Sequence, residues 1–582
     1  MFKLFQKLGK KQLLYAIICV LFVGINVYLE LKIPDYMSKI TVLVQTEGSN
    51  MNEILNQGGF MLLCAFGSLI ASFVVGYFAA SVASNFGLVT RKNIFEKVNS
   101  FGVEEIKKFS TSSLITRTTN DVSQVQMLIA MGLQAIIRAP IMAGLAISKI
   151  AGKNYMWTMA TTISVVLLLI VIVILMILVL PKFKLVQKLT DNLNRITREN
   201  LLGIRVIRAF NAEEYQQKKF EKANEELKNL QLYNQKTLGL LFPFMSMISS
   251  TLSLSIYFIG AYLINEANML DKITLFGDMV VFSSYAMQVL FSFMMLIMIF
   301  VLYPRASVSA KRILEVLETK ESIKAGNITK GREIGTVEFK NVSFKYPDAE
   351  EYIIKDISFK INKGETAAFI GSTGSGKSTL INLIPRFYDV SEGEILVDGV
   401  NVKDYKLESL NNIIGYVPQK AVMFQGSVNY NVSYGNNGKK KPSKDKIKEA
   451  VKVAQGTDFV EKMDNNYESE IARGGTNISG GQKQRLAIAR AIARDPEIYI
   501  FDDSFSALDY KTDYTLRKEL KSYTKDATNL IVAQRIGTIK NADKIFVLDN
   551  GELVGVGTHD ELIKSCKVYK EIALSQLSEE EL

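Results

Sequence analysis

The residues best suited to chemistry run from Gly371 to Thr379, in the order Gly371-Ser372-Thr373-Gly374-Ser375-Gly376-Lys377-Ser378-Thr379. This is G-x4-G-K-S, the spacing of a phosphate-binding loop. Its glycines let successive backbone N–H groups curl around phosphate oxygens, and the helix that follows offers its N-terminus to the same anion. In such a loop Lys377 reaches the β- and γ-phosphates and Ser378 gives its hydroxyl to Mg²⁺. Further along, the apolar run Ile498-Tyr499-Ile500-Phe501 ends in two carboxylates, Asp502 and Asp503. Asp502 is the expected holder of Mg²⁺, through water. The chemistry indicated is the binding and positioning of a nucleotide's phosphates. Other chemistries are poorly served: the chain has one histidine, His559, so any imidazole chemistry must happen there or come from another chain, and Cys19, Cys64 and Cys566 are far apart with no metal-ligand spacing.

A phosphate loop works only if a strand delivers it and a helix follows it. Ala367–Ile370 is that strand, and from Thr336 onward the sequence alternates as α/β, with Val337–Phe339, Val342–Phe344 and Thr366–Ile370 strand-like. Residues Glu321–Gly335 are polar and contain glycine, as a linker does.

The first half has a different character. Six long apolar runs fill it: Leu13–Leu31, Phe60–Val82, Met127–Ile147, Trp157–Leu180, Leu238–Ile264 and Leu275–Leu302. Each is near or above the roughly 20 residues that a helix needs to cross a bilayer. Lysine and arginine gather at the N-terminus (Lys3, Lys7, Lys10, Lys11) and in residues 83–126 and 181–237, whereas the alternate loops are short or poor in them. The positive-inside rule then predicts a chain in the inner or plasma membrane with both termini in the cytoplasm. It also accounts for the formal net charge of +11 without any nucleic acid. The two basic loops read as helical extensions of the spans, because their apolar residues, such as Ile204, Ile207 and Phe210, need cover. Glu30, Arg138 and Asp278 fall in or near the spans and are expected to face the bundle interior or the interface, in structural pairs or at an interfacial position, with contact to cargo the alternative. The sixth run carries Met287, Met294, Met295 and Met298 with Phe291, Phe293 and Phe300, which suits either helix packing or a pocket for varied apolar ligands.

Ile478-Ser479-Gly480-Gly481-Gln482 settles the family resemblance. The chain resembles an ATP-binding-cassette exporter half-transporter of the bacterial multidrug type, over essentially its whole length. The resemblance implies a multi-domain membrane protein: a six-helix all-α transmembrane domain followed by an α/β P-loop ATPase cassette. Residues 1–315 would be the transmembrane domain, 316–335 the linker and 336–582 the nucleotide-binding domain. ATP and Mg²⁺ are the implied cofactors. Tyr346 is implied as the ring that stacks on adenine, with Phe344 its rival. Gln419 is implied as the glutamine that touches Mg²⁺ or water. Ser479, Gly480, Gly481 and Gln482 would bind ATP held by the opposite subunit, with Ser479 and Gly481 at its γ-phosphate. The stretches 110–121 and 205–214 are implied as coupling helices.

Three positions depart from the family pattern. Asp503 stands where the family expects a catalytic glutamate, one methylene shorter. Gln534 stands where it expects the switch histidine, and an amide cannot carry a proton or a full positive charge. Arg473 stands where many members have a glutamate. Since the phosphate loop, Asp502, Gln419 and the signature are intact, the expectation is ATP binding with impaired hydrolysis at this chain's own site. The partner would be a homologous half-transporter that supplies the glutamate and histidine, and the cargo an amphipathic or apolar small molecule. A lipid or peptide exporter, a homodimeric exporter with slow ATPase, and an ATP-gated channel are the alternatives.

Overall fold

The computed structural model describes residues 9–46, 48–151 and 154–578. The chain folds as two compact units: Met1–Asn99 with Ser112–Thr319, and Ser100–Thr111 with Lys320–Leu582.

Among the described residues of the first unit, six helices are long and apolar enough to cross a membrane: Lys10–Gln45, Met51–Asn99, Thr111–Ile150, Tyr155–Val179, Glu213–Glu266 and Asp271–Met295. Each contains or overlaps one of the six expected runs. The helix Met51–Asn99 has 49 residues. At 1.5 Å per residue it is about 74 Å long, against a hydrocarbon core of about 30 Å. The basic loops are helical for this reason, as expected. In the second of them, Ile207 is buried while Phe210 stays exposed. Lys3 and Lys7 lie outside the described residues, as do the side chains of Met298 and Phe300.

Several polar groups inside this unit tie one span to another. Asn26 donates from Nδ2 to the Ser68 carbonyl at 2.9 Å, to Ser68 Oγ at 3.0 Å and to Ser72 Oγ at 2.9 Å, tying the first span to the second. Arg138 reaches Glu30 at 2.6 Å, tying the third span to the first. Buried Trp157 donates from Nε1 to the Ile256 carbonyl at 3.1 Å, tying the fourth to the fifth. Where water is absent, leaving any of these groups unpartnered costs several kcal/mol. On the sixth span, Met287, Phe293 and Met294 pack against the helical core, which is the packing alternative for that stripe.

The second unit holds two main sheets. One is four-stranded, in the order β2-β1-β4-β5, from β1 (Val337–Phe344), β2 (Ile354–Ile361), β4 (Glu392–Val397) and β5 (Val400–Asn401). The two expected segments Val337–Phe339 and Val342–Phe344 form one strand, because the register shifts between Phe339 and Val342. Two successive residues, Lys340 and Asn341, face outward there, and Asn341 takes φ +47°. This bulge keeps Val337, Phe339, Val342 and Phe344 on the core side despite the broken alternation.

The other sheet is six-stranded, in the order β12-β11-β3-β10-β9-β6. It comprises β3 (Thr366–Gly371), β6 (Ile414–Val417), β9 (Ile498–Asp502), β10 (Thr528–Val532), β11 (Lys544–Asp549) and β12 (Glu552–Gly557). Its strands are parallel except β12. Every residue of β9 and β10 is buried, as the central strands of a parallel sheet covered on both faces are. A short ladder of β7 (Gly426–Ser427) and β8 (Glu470–Ile471) completes the unit's sheets.

Candidate nucleotide site

Parallel strands end their carboxyl termini on one edge, and ligands bind in the crevice outside that edge. Here β3 leads into the phosphate loop, β10 into Gln534, β9 into Asp502 and Asp503, and β6 into Gln419. Register holds the ends level: Val532 pairs with Asp502, and Val417 with Phe501. The result is a cleft of about 360 Å³ whose walls include Thr373, Gly374, Gly376, Lys377, Ser378, Thr379, Gln419, Asp503 and Gln534. Residues scattered over 160 positions of sequence therefore meet because four strands end together.

The loop's backbone is built for an anion. Gly374 has φ +89° and Gly376 has φ +94°, a region that side chains rarely adopt. A Cβ on Gly374 would meet nothing within 4 Å, whereas one on Gly376 would come within 3.1 Å of the Ile353 carbonyl. Lys377 is buried, and its Nζ donates to the carbonyls of Gly371 at 2.8 Å and Ser372 at 2.7 Å, and to Ser375 Oγ at 3.3 Å. Burial pushes its pKa down, and the carboxylates of Asp503 and Asp502 work against that shift.

The carboxylates have distinct settings. Ser378 Oγ donates to Asp502 Oδ1 at 2.7 Å, which sets a hydroxyl beside a carboxylate. Burial holds the Asp502 carboxyl above its ordinary range; the Ser378 hydrogen bond opposes this, and neighbouring Asp503 adds to it. Two hard oxygen donors, one of them short of positive charge, fit a divalent cation such as Mg²⁺. Asp503 instead receives two amides on one oxygen: Gln534 Nε2 donates to Oδ2 at 3.0 Å, and Gln419 Nε2 donates to the same atom at 3.2 Å. Asp503 sits at φ +45°, which aspartate tolerates better than most residues.

The signature residues lie elsewhere. Ser479 caps the helix Gly480–Arg494, accepting from the Gln482 N–H at 3.3 Å while its own N–H donates to Gln482 Oε1 at 2.8 Å. Ser479 and Gly480 are exposed, and a Cβ on Gly480 would meet nothing within 4 Å. None of Ser479, Gly480, Gly481 and Gln482 lines the cleft. Of the two candidate rings, Phe344 is buried in the sheet core, while Tyr346 is half-buried and its hydroxyl lies 3.0 Å from Thr379 Oγ1. His559 is buried, with Nδ1 2.8 Å from the Tyr569 hydroxyl and away from the cleft.

Sequence reasoning missed several neighbours. Ile353 and Val532 help to wall the cleft. The Tyr416 hydroxyl interacts with Asp502 and also donates to Asn382 Oδ1 at 2.9 Å. A polar ring in the otherwise apolar run Ile414–Val417 was the available signal. The segment that folds with the cassette is Ser100–Thr111, which carries the short helix Val103–Phe109; it begins upstream of the expected 110–121.

The chain belongs to the ABC transporter family: residues 13–310 match the ABC transporter transmembrane region and residues 354–506 the ABC transporter cassette. It is therefore a multi-pass membrane protein of the exporter half-transporter build, one transmembrane region followed by one ATPase cassette. An uncharacterized ABC transporter ATP-binding protein of Mycobacterium tuberculosis is 37% identical over 528 residues, covering 90% of this chain and 88% of that one. The Bacillus subtilis protein YfiB, also an uncharacterized ABC transporter ATP-binding protein, is 36% identical over 88% of this chain and 89% of its own. The ATP-dependent lipid A-core flippase of Escherichia coli is 30% identical over 90% and 88%. Among solved structures, a bacterial Atm1-family ABC exporter with ATP bound superposes with a TM-score of 0.81 at 23% identity, covering 98% of this chain and 99% of that one, a likeness of fold.

Proposed function

We propose that this chain is one half of a heterodimeric exporter that moves amphipathic or apolar small molecules at the expense of ATP. In this reading residues 1–315 form the transmembrane domain, 316–335 the linker and 336–582 the cassette, with both termini cytoplasmic. ATP lies along the cleft, its adenine on Tyr346 and its phosphates in the loop Gly371–Thr379. Lys377 meets the β- and γ-phosphates, while Ser378 and Asp502, with Gln419 nearby, hold Mg²⁺. When bound there, Mg²⁺ would supply positive charge beside the nucleotide's phosphates.

The observation that carries the asymmetric reading is the Asp503 carboxylate, one methylene short and held by two amides. Gln534 donates where a histidine would bring a proton. This site binds ATP and turns it over slowly. The exposed N-terminus of Gly480–Arg494 supports the other half of the proposal, because a helix N-terminus with bare glycine beside it suits a phosphate brought by a second chain. That second site would combine Ser479–Gln482 with the partner's phosphate loop, glutamate and histidine.

Apolar cargo is favoured by a cavity of about 540 Å³ between the fourth and fifth spans, with Met156, Met159, Leu167, Met247 and Ile259 in its wall. Flexible thioethers accommodate varied apolar shapes. Lipid export is the second reading, supported by the 30% identity to a protein named as a lipid A-core flippase.

The test is the mass of the intact complex, extracted gently from native cells through a tag on this chain. A second, different half-transporter carrying the missing glutamate and histidine is expected. Two copies of this chain alone, or brisk ATP hydrolysis by this chain alone, would overturn the proposal.

A further inference from the structure

The segment Ser100–Thr111 follows directly on the helix Met51–Asn99 yet folds with the cassette. Its anchor is Glu105, which is buried and accepts from the N–H groups of Gly102 and Ser322, each at 2.8 Å. Ser100 Oγ adds a hydrogen bond to Glu321 Oε1 at 2.6 Å. Hydrogen bonds to an ionised carboxylate are among the stronger ones, so this clamp fixes the short helix Val103–Phe109 in register.

Fixed in this way, the helix delivers one cation to one place. Lys107 Nζ stands 5.0 Å from the centre of the Tyr346 ring and 5.4 Å from that of Tyr388. The two rings meet edge to face, with centres 5.3 Å apart. On its far edge the Tyr346 hydroxyl engages Thr379, the residue after Ser378. Phe344 also meets this ring edge to face, with centres 5.1 Å apart, so a ring held by two aromatic neighbours, a bonded hydroxyl and an ammonium over one face has few orientations left.

We propose that Lys107 is a positioning residue for the nucleotide base: its ammonium holds the Tyr346 ring against Tyr388 and Thr379 and leaves the other face for adenine. The inference rests on the reading of Tyr346 as the adenine-stacking ring. It goes further in tying base occupancy to the segment that follows the second span. Because base and ammonium order the same ring, each strengthens the other's hold, and the coupling is reciprocal. ATP therefore tightens Ser100–Thr111, and a ligand with phosphates but no base does not.

Hydrogen exchange on the full-length chain, in the complex purified from its own cells, tests this peptide by peptide. Protection of residues 371–379 reports occupancy of this chain's phosphate loop, titrated with ATP or with tripolyphosphate, which lacks a base. The expected result for Lys107→Met is a two- to fivefold higher half-saturating ATP concentration, on the order of one exposed cation–π contact. Tripolyphosphate titration stays unchanged, Lys107→Arg recovers ATP binding, and ATP slows exchange in residues 100–111 only when position 107 is cationic. Equal shifts for ATP and tripolyphosphate, or no shift for either, would overturn the inference. A Tyr346→Ala control separates it from the reading beneath: if Tyr346→Ala weakens ATP and Lys107→Met does not, the inference alone fails. If Tyr346→Ala changes nothing, the stacking role of Tyr346 fails and takes the inference with it.

Discussion

In the proposed function, turnover at this site depends on Asp503 Oδ2. A water attacking the γ-phosphoryl group needs a carboxylate within hydrogen-bond reach to orient it. Here that oxygen already takes hydrogen bonds from Gln534 and Gln419, and its side chain is about 1 Å short of where glutamate would end. Misplacement on that scale costs about a hundredfold. The double change Asp503→Glu with Gln534→His, in a complex whose partner site is silenced, is expected to raise ATP hydrolysis by roughly ten- to a hundredfold. Phosphate release measures it, and an unchanged rate would mean that the slowness has another origin. Asp502 answers to a different reagent. Its carboxyl is buried, bonded to Ser378 and short of positive charge, so Asp502→Asn should remove the Mg²⁺ dependence of ATP binding while leaving Mg²⁺-free binding nearly intact. At this scale the sequence was highly legible, because a phosphate loop is a local motif whose chemistry follows from spacing. The amide pair on Asp503 was not, since it depends on how β6, β9 and β10 are aligned.

The elements impose their own chemistry through what they bury. Asp398 lies just after β4, buried, with Oδ1 accepting from the N–H groups of Gly335 at 2.7 Å and Thr336 at 3.2 Å. Burial and then the Glu497 carboxylate beside it push its pKa up to about 7, against the pull of those two amides. The folded chain therefore keeps a proton that the unfolded chain loses near pH 4. Stability from this group is complete below about pH 4 and drains away as pH rises to about 7. Asp398→Asn keeps the acceptor oxygen and removes the titration. It should be more stable than the wild type by on the order of 2 kcal/mol at about pH 8, with the advantage shrinking toward pH 5. Calorimetric unfolding of both proteins across that range measures it, and a constant difference would rule out Asp398 as the titrating group. The bulge in β1 makes a related point about legibility. Alternation predicted two short strands around Lys340 and Asn341, and the inserted outward residue that joins them is invisible until β2 and β4 supply partners. The spans were easier to read, since about 20 apolar residues in a row admit few other structures.

At the scale of the whole molecule, the proposed function makes the cleft half of a site. The cleft gathers much of the phosphate loop, Asp503, Gln419 and Gln534, with Asp502 bonded to Ser378 in its wall, while the capped, exposed N-terminus of the helix Gly480–Arg494 does not line it. Pattern alone could not foresee the association of Ser100–Thr111 with the cassette, because the two are more than two hundred positions apart and no periodicity links them. The division of labour proposed here makes an unequal prediction for two changes in this one chain. Asp503→Asn keeps shape and tolerance of positive φ, and removes a charge from a site that contributes little turnover. Ser479→Arg puts a long cation where a partner's γ-phosphate would meet the helix N-terminus, so it strikes the site that contributes most. In the purified complex, Asp503→Asn is expected to leave steady-state ATP hydrolysis within about twofold of wild type, whereas Ser479→Arg lowers it about a hundredfold or more, the usual scale for losing a preorganised anion-stabilising contact. Equal losses would mean two equivalent sites, each using Asp503 for hydrolysis, and the reverse order would make this chain the principal hydrolytic subunit.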